Sequence, residues 1–159
     1  MEQSIPIRVE QNVPCRMRDG AVLYADVYRP DAPGRYPVIL CRTPYNKDDY
    51  STRVTSLDSI RAAREGYALV IQNTRGRYNS EGSFYTFRHE ADDGYDTVEW
   101  AAAQPWSSGK VGMHGGSYVG ATQWLAAASR PPHLTAIFPS ITSNDYYDCL
   151  LYTSPSPRD

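Results

Sequence analysis

Two short apolar runs set the tightest limit on how this chain folds: "YPVILCRT" at 36–43 and "YALVIQNT" at 67–74. Neither alternates apolar with polar residues, so neither suits a strand with one wet face. Each reads as a central strand covered on both sides. Between them, "TSLDSIRAAREG" sets Leu57, Ile60 and Ala63 at helical spacing and ends on Gly66, a fitting helix terminus. A strand, a helix and a second buried strand in that order make a parallel pair with a crossover.

The same alternation continues along the chain. "AVLYADVYRP" at 21–30 is a candidate strand entered through the turn residues "RDG". "HEADDGYDTVEWAAAQPW" carries acids at its front and Val98, Trp100 and Ala102 behind, which predicts a helix over 90–103, stopped before Pro105. "GKVGMHG" then supplies a strand, "YVGATQWLAAASR" a helix closed by Pro131 and Pro132, and "LTAIFPS" a last strand. The fold class expected is α/β, a mostly parallel sheet with helices on both faces.

Composition excludes several functions. The 159 residues are 41% hydrophobic, enough for one core, and 16 basic against 18 acidic residues leave a net charge of -2. With no basic run to follow a phosphate backbone, nucleic acid is not an expected partner. The three cysteines, Cys15, Cys41 and Cys149, are far apart and odd in number, so they read as plain thiols rather than a disulfide or zinc framework. The first 20 residues lack the basic-then-apolar order of a secretory signal, and no apolar run approaches the ~20 residues that span a bilayer. A cytoplasmic protein without a membrane partner is the expectation. No feature bears on oligomeric state.

The chemistry concentrates in "VGMHGGSYVGATQWLAAA", residues 111–128, where a strand turns through two glycines at Ser117 and continues as a helix. A serine hydroxyl is a weak nucleophile that needs exposure, a base and donors for the oxyanion it creates. A sharp strand-to-helix turn exposes it, small neighbours such as Gly115, Gly116 and Gly120 let the flanking segments close in, and the first helical amides, including that of Tyr118, point at it. The competing reading is that Ser117 is only a helix N-cap in a non-catalytic α/β module. The spacing also departs from the common G-x-S-x-G, because Val119 stands second after the serine and Gly120 third.

"WSSGKVGMHGGSYVGATQW", together with "RTPYNK" at 42–47 and "QNTRGRYNSEG" at 72–82, resembles the cocaine esterase and X-Pro dipeptidyl-peptidase family of serine hydrolases, whose turn reads G-x-S-Y-x-G. The resemblance runs from about Ile7 to Asp148. It implies an α/β-hydrolase fold, here incomplete, with Ser117 as nucleophile on an ester or peptide substrate and a covalent acyl-enzyme. It also implies an oxyanion hole made by the Tyr45 hydroxyl and the Tyr118 backbone amide. No cofactor and no metal is implied.

The partners of Ser117 are harder to place. In this fold an acid and then a histidine follow the nucleophile. Only His133 follows Ser117, in "RPPHLTAI", at a junction expected at the far end of the sheet. It reads as a loop histidine, and His114, within the strand, as a packed one. His89 with Glu90, Asp92 and Asp93 reads as acids opening a helix rather than a metal site. Arg75 and Arg77 are expected to organise their loop by pairing with Glu81 or Asp93. Asp145 and Asp148 are similar in kind to acids that bind a substrate amine in related enzymes and receive no assignment. After "SNDYYD" the resemblance stops, and "CLLYTSPSPRD" resembles sequencing-adapter read-through or else a natural disordered tail. The expected organisation is therefore 1–148 as the front of a catalytic domain lacking its triad acid and base, and 149–159 as an unrelated tail.

Overall fold

The computed structural model describes residues 5–54 and 57–145. The proposed boundary after Asp148, Asp148 itself, Cys149 and the tail lie outside the described residues. The described elements are β1 (Ile7–Arg16), β2 (Val22–Pro30), β3 (Tyr36–Thr43), α1 (Tyr50–Val54), α2 (Ser59–Arg64), β4 (Ala68–Asn73), α3 (Glu90–Ala102), β5 (Ser107–Gly116), α4 (Tyr118–Ala128) and β6 (Leu134–Ser140). They form one sheet in the order β1-β2-β4-β3-β5-β6. The four strands from β4 to β6 run parallel, while β2 pairs antiparallel with β4 and β1 antiparallel with β2.

The two apolar runs became β3 and β4, side by side at the centre, and both faces are covered as their composition requires. Val38, Leu40, Ala68 and Val70 pack against Val98 and Ala101 of α3 and Ala126 of α4. The alternate residues Cys41, Leu69 and Ile71 pack with Ala62 and Ala63 of α2 on the opposite face. Every residue of β4 is buried. Helix α2 is capped by Asp58, whose carboxylate accepts the amides of Ile60 and Arg61, and Gly66 follows it at φ +88.

Two elements lie outside the sequence expectations. β1 has no clean alternation and contains Pro14; it is an edge strand, bulged between Glu10 and Val13 with Asn12 at φ +53. Asn12 is fixed there by its amide, which donates to Asp26. The short α1 follows the "TPYNK" loop. Among the described residues no helix is long and apolar enough to cross a membrane.

The acids at the front of α3 are engaged by arginines from other elements rather than by the helix end. Glu90 meets Arg42 at 2.8 Å, Asp93 meets Arg75 at 2.6 Å, and Arg18 meets both Asp92 and Asp96 at 3.0 and 2.8 Å. No group of three or more His, Cys, Asp or Glu among the described residues is arranged to hold a metal ion.

Candidate active site

The parallel strands β3, β4, β5 and β6 end at Thr43, Asn73, Gly116 and Ser140, which pair across the sheet as Thr43 with Asn73 and Gly116 with Ser140. Ligands of open α/β sheets gather outside such ends. "TPYNK", "TRGRYNSEG" and the Ser117 turn are all loops leaving this edge.

Ser117 links β5 to α4 with φ +56 and ψ -124, a region that side-chain-bearing residues rarely occupy. Its amide donates to the Ser140 carbonyl at 2.9 Å, and its carbonyl accepts from Gly120 and Ala121 to start the helix. The backbone is thus held at both sides while the side chain makes no capping bond and the residue is exposed. The N-cap reading of this serine therefore lacks the bond that would define it. Gly115 sits at φ +130, where a Cβ would overlap Val119, and a Cβ on Gly120 would stand 2.5 Å from Thr142 Cγ2. The third glycine of the turn, Gly116, is the last residue of β5.

A cavity of about 570 Å³ opens beside this turn, lined by Ser117, Gly116 and Val119 from one side and by Cys41, Thr43 and Tyr45 from the other. Ser117 and Tyr45, 72 positions apart in the numbering, thus line the same cavity. Cys41 also lines the cavity, but burial pushes its thiol up to about 12, leaving it protonated at neutral pH.

Tyr45 is half exposed, on a loop whose backbone is heavily bonded. Its amide donates to Thr43 Oγ1 at 3.0 Å, its carbonyl accepts from Asn73 Nδ2 at 2.6 Å, and the Pro44 carbonyl accepts from Arg77 Nε at 2.8 Å. Two residues on, the buried Lys47 inserts its ammonium between Asp26 and Asp48, 2.9 Å from each.

Tyr118 occupies the first position of α4, so its amide has no acceptor within the helix. Its side chain runs the other way. The hydroxyl donates to Glu90 Oε1 at 3.0 Å and accepts from the Phe87 amide, while the ring stacks on Phe87 with centroids 4.8 Å apart. Burial, reinforced by the Glu90 carboxylate, holds this phenol well above its ordinary range. Glu90 is in turn locked to the fully buried Arg42.

The remaining candidates fall elsewhere. His133 lies at the opposite end of the sheet, where its carbonyl accepts from Val111 and its ring meets Glu99 at 2.7 Å. His114 is within β5 with Nε2 buried and, among the described residues, unpartnered, and burial lowers its pKa. His89 precedes α3. None of the three lines the cavity. Arg75 pairs with Asp93 as expected, but its second carboxylate is Asp19, and Glu81 instead accepts the Val22 amide. Among the described residues Arg77 pairs with no carboxylate; it bonds Pro44 and lies over the rings of Tyr78 and Phe84. Sequence reasoning passed over Lys47 and Asn73, although a lysine beside the motif tyrosine and an asparagine ending a fully buried strand are both polar groups that burial obliges to find partners.

Comparisons with known proteins find relatives in both sequence and fold. The chain is 47% identical over 140 residues to the cocaine esterase of Rhodococcus sp. (strain MB1 Bresler), an alignment covering 87% of this chain and 24% of that protein. A CocE/NonD family hydrolase from Staphylococcus aureus superposes with a TM-score of 0.79 at 32% identity, covering 89% of this chain and 29% of the other. An α-amino acid ester hydrolase superposes at 0.74 with 28% identity, covering 92% and 27%. The chain spans about a quarter of the length of each. The six-stranded, mostly parallel sheet and its flanking helices are thus part of an α/β-hydrolase domain. The family model of the X-Pro dipeptidyl-peptidases (S15 family) matches residues 19–155, and the chain belongs to that family.

Proposed function

We propose that this chain carries the nucleophile and the oxyanion donors of a serine hydrolase that cleaves ester or amide bonds through an acyl-enzyme. Ser117 Oγ attacks the substrate carbonyl carbon and passes its proton to a base. The carbonyl oxygen becomes an oxyanion that accepts from the Tyr45 hydroxyl and the Tyr118 amide. Collapse breaks the bond to the leaving group, which departs as an alcohol or amine with the proton returned by the base; water, giving a proton to the same base, then attacks the acyl carbon, and the acid leaves as Ser117 Oγ takes that proton back. A cocaine esterase and an α-amino acid ester hydrolase among the similar proteins support ester chemistry, and the name of the family supports amides. Tyr118 contributes through its backbone only, since Glu90 and Phe87 engage its hydroxyl.

The observation that carries this reading is Ser117 itself: a non-glycine residue at φ +56 with its side chain free of any cap, at the mouth of a cavity it shares with Tyr45. No histidine stands at that cavity among the described residues, so the base and its acid are proposed to come from outside them. The test supplies a proton acceptor artificially. Incubation with a fluorophosphonate probe in excess imidazole, followed by peptide mass mapping, is expected to place the adduct on Ser117. An unlabelled chain, or equal labelling of Ser117→Ala, overturns the proposal.

A further inference from the structure

A side chain at the end of the neighbouring strand bonds the segment that carries Tyr45. We infer that Asn73, at the end of β4, is a positioning residue that sets the Tyr45 phenol over Ser117, an inference that rests on the oxyanion role proposed above. The Asn73 amide nitrogen donates to two carbonyls, Tyr45 at 2.6 Å and Thr43 at 3.3 Å, so it grips both ends of the turn that carries the tyrosine. Backbone pairing alone reaches only as far as Thr43, whose carbonyl also accepts from the Thr74 amide. Beyond it, the chain departs from the sheet and needs side-chain donors to define its path.

The chemistry of the amide makes this grip one-sided. Asn73 is fully buried, and among the described residues its Oδ1 has no partner, an unmet cost of burial. Here rotation would set oxygen against two carbonyl oxygens, so the amide keeps the orientation that holds Tyr45. Its own backbone is fixed by a second tier: the Asn73 carbonyl accepts from Ser80 Oγ, which itself accepts from the Tyr24 amide. Arg77, from the same "QNTRGR" segment, adds the bond to Pro44. Two sequence segments separated by 24 residues thus act as one device, the second aiming the tyrosine of the first.

A double-mutant cycle on the rate of Ser117 phosphonylation in imidazole separates aiming from general support. Displacing a catalytic donor by about 1 Å slows a reaction up to about 100-fold, so Asn73→Ala is expected to label about 10- to 100-fold more slowly than wild type. Tyr45→Phe is expected to slow labelling to a similar degree, and adding Asn73→Ala to it to change the rate less than about twofold, because there is no hydroxyl left to aim. Arg77→Met, on the half-buried loop, is expected to show the same pattern at smaller size, and it decides the matter if Asn73→Ala does not fold. Wild-type labelling rates in Asn73→Ala and Arg77→Met, or losses that multiply with that of Tyr45→Phe, overturn the inference while leaving the hydrolase reading intact. A wild-type chain that does not label, or a Tyr45→Phe variant as fast as wild type, overturns both.

Discussion

Replacing Ser117 by glycine should make the protein more stable, and the size of the gain follows from its backbone. At φ +56 and ψ -124 a side-chain-bearing residue carries strain of about 1–3 kcal/mol, which glycine does not. Glycine loses more freedom on folding, about 0.5–1 kcal/mol. The net expected for Ser117→Gly is about 1 kcal/mol of stabilisation, a rise of about 2–4 °C in Tm for a chain of 159 residues. Ser117→Ala is the control: it keeps the strain and removes an exposed hydroxyl that caps nothing, so its stability should stay within about 0.5 kcal/mol of wild type. Urea denaturation and thermal melts of the three proteins measure both differences. If glycine is no better than alanine, the turn is not strained. If alanine instead loses about 1 kcal/mol, the hydroxyl is a helix cap after all, and the case for a nucleophile held ready at this corner fails.

Other expectations follow from the same structure. Glu90→Ala removes the nearer carboxylate from the fully buried Arg42 guanidinium, leaving Gln72, the residue-90 carbonyl and Asp93 at 3.9 Å, and should cost about 3 kcal/mol in urea denaturation. His114 has its pKa lowered by burial from an unfolded value of 6.5, so the unfolded chain binds the proton more readily: stability is full above pH 6.5 and is lost as pH falls through the lower folded value. His114→Gln should flatten that dependence, and an unchanged slope would place its origin elsewhere. Because no histidine lines the cavity among the described residues, the chain alone should show no steady hydrolysis of p-nitrophenyl acetate; turnover that vanishes in Ser117→Ala would reveal a base among its own three histidines.

The legible parts of this fold were those written in local pattern. β3 and β4 announce themselves because burial on both faces removes every polar residue from their middles, and α3 because its acids, apolar stripe and Pro105 all mark bounds within one residue of those observed. β1 was not legible, since an edge strand with one proline and a bulge needs neither alternation nor an apolar run. In the site, Ser117 and its glycines could be read because a sharp turn constrains consecutive residues. The supports of Tyr45 could not, because Asn73 and Arg77 act 28 and 33 residues away on carbonyl groups that every residue possesses. The Arg75 partnership was half legible for the same reason: Asp93 is an obvious carboxylate, whereas Asp19 is brought near only by the folding of the β1–β2 turn against α3.

A crystal structure of the chain phosphonylated on Ser117 bears most directly on the central claim, because the phosphonyl oxygen stands where the oxyanion of the reaction would. The account predicts that oxygen within about 2.7–3.1 Å of both the Tyr45 hydroxyl and the Tyr118 amide nitrogen. An oxygen turned toward solvent, with neither group donating to it, would contradict the account.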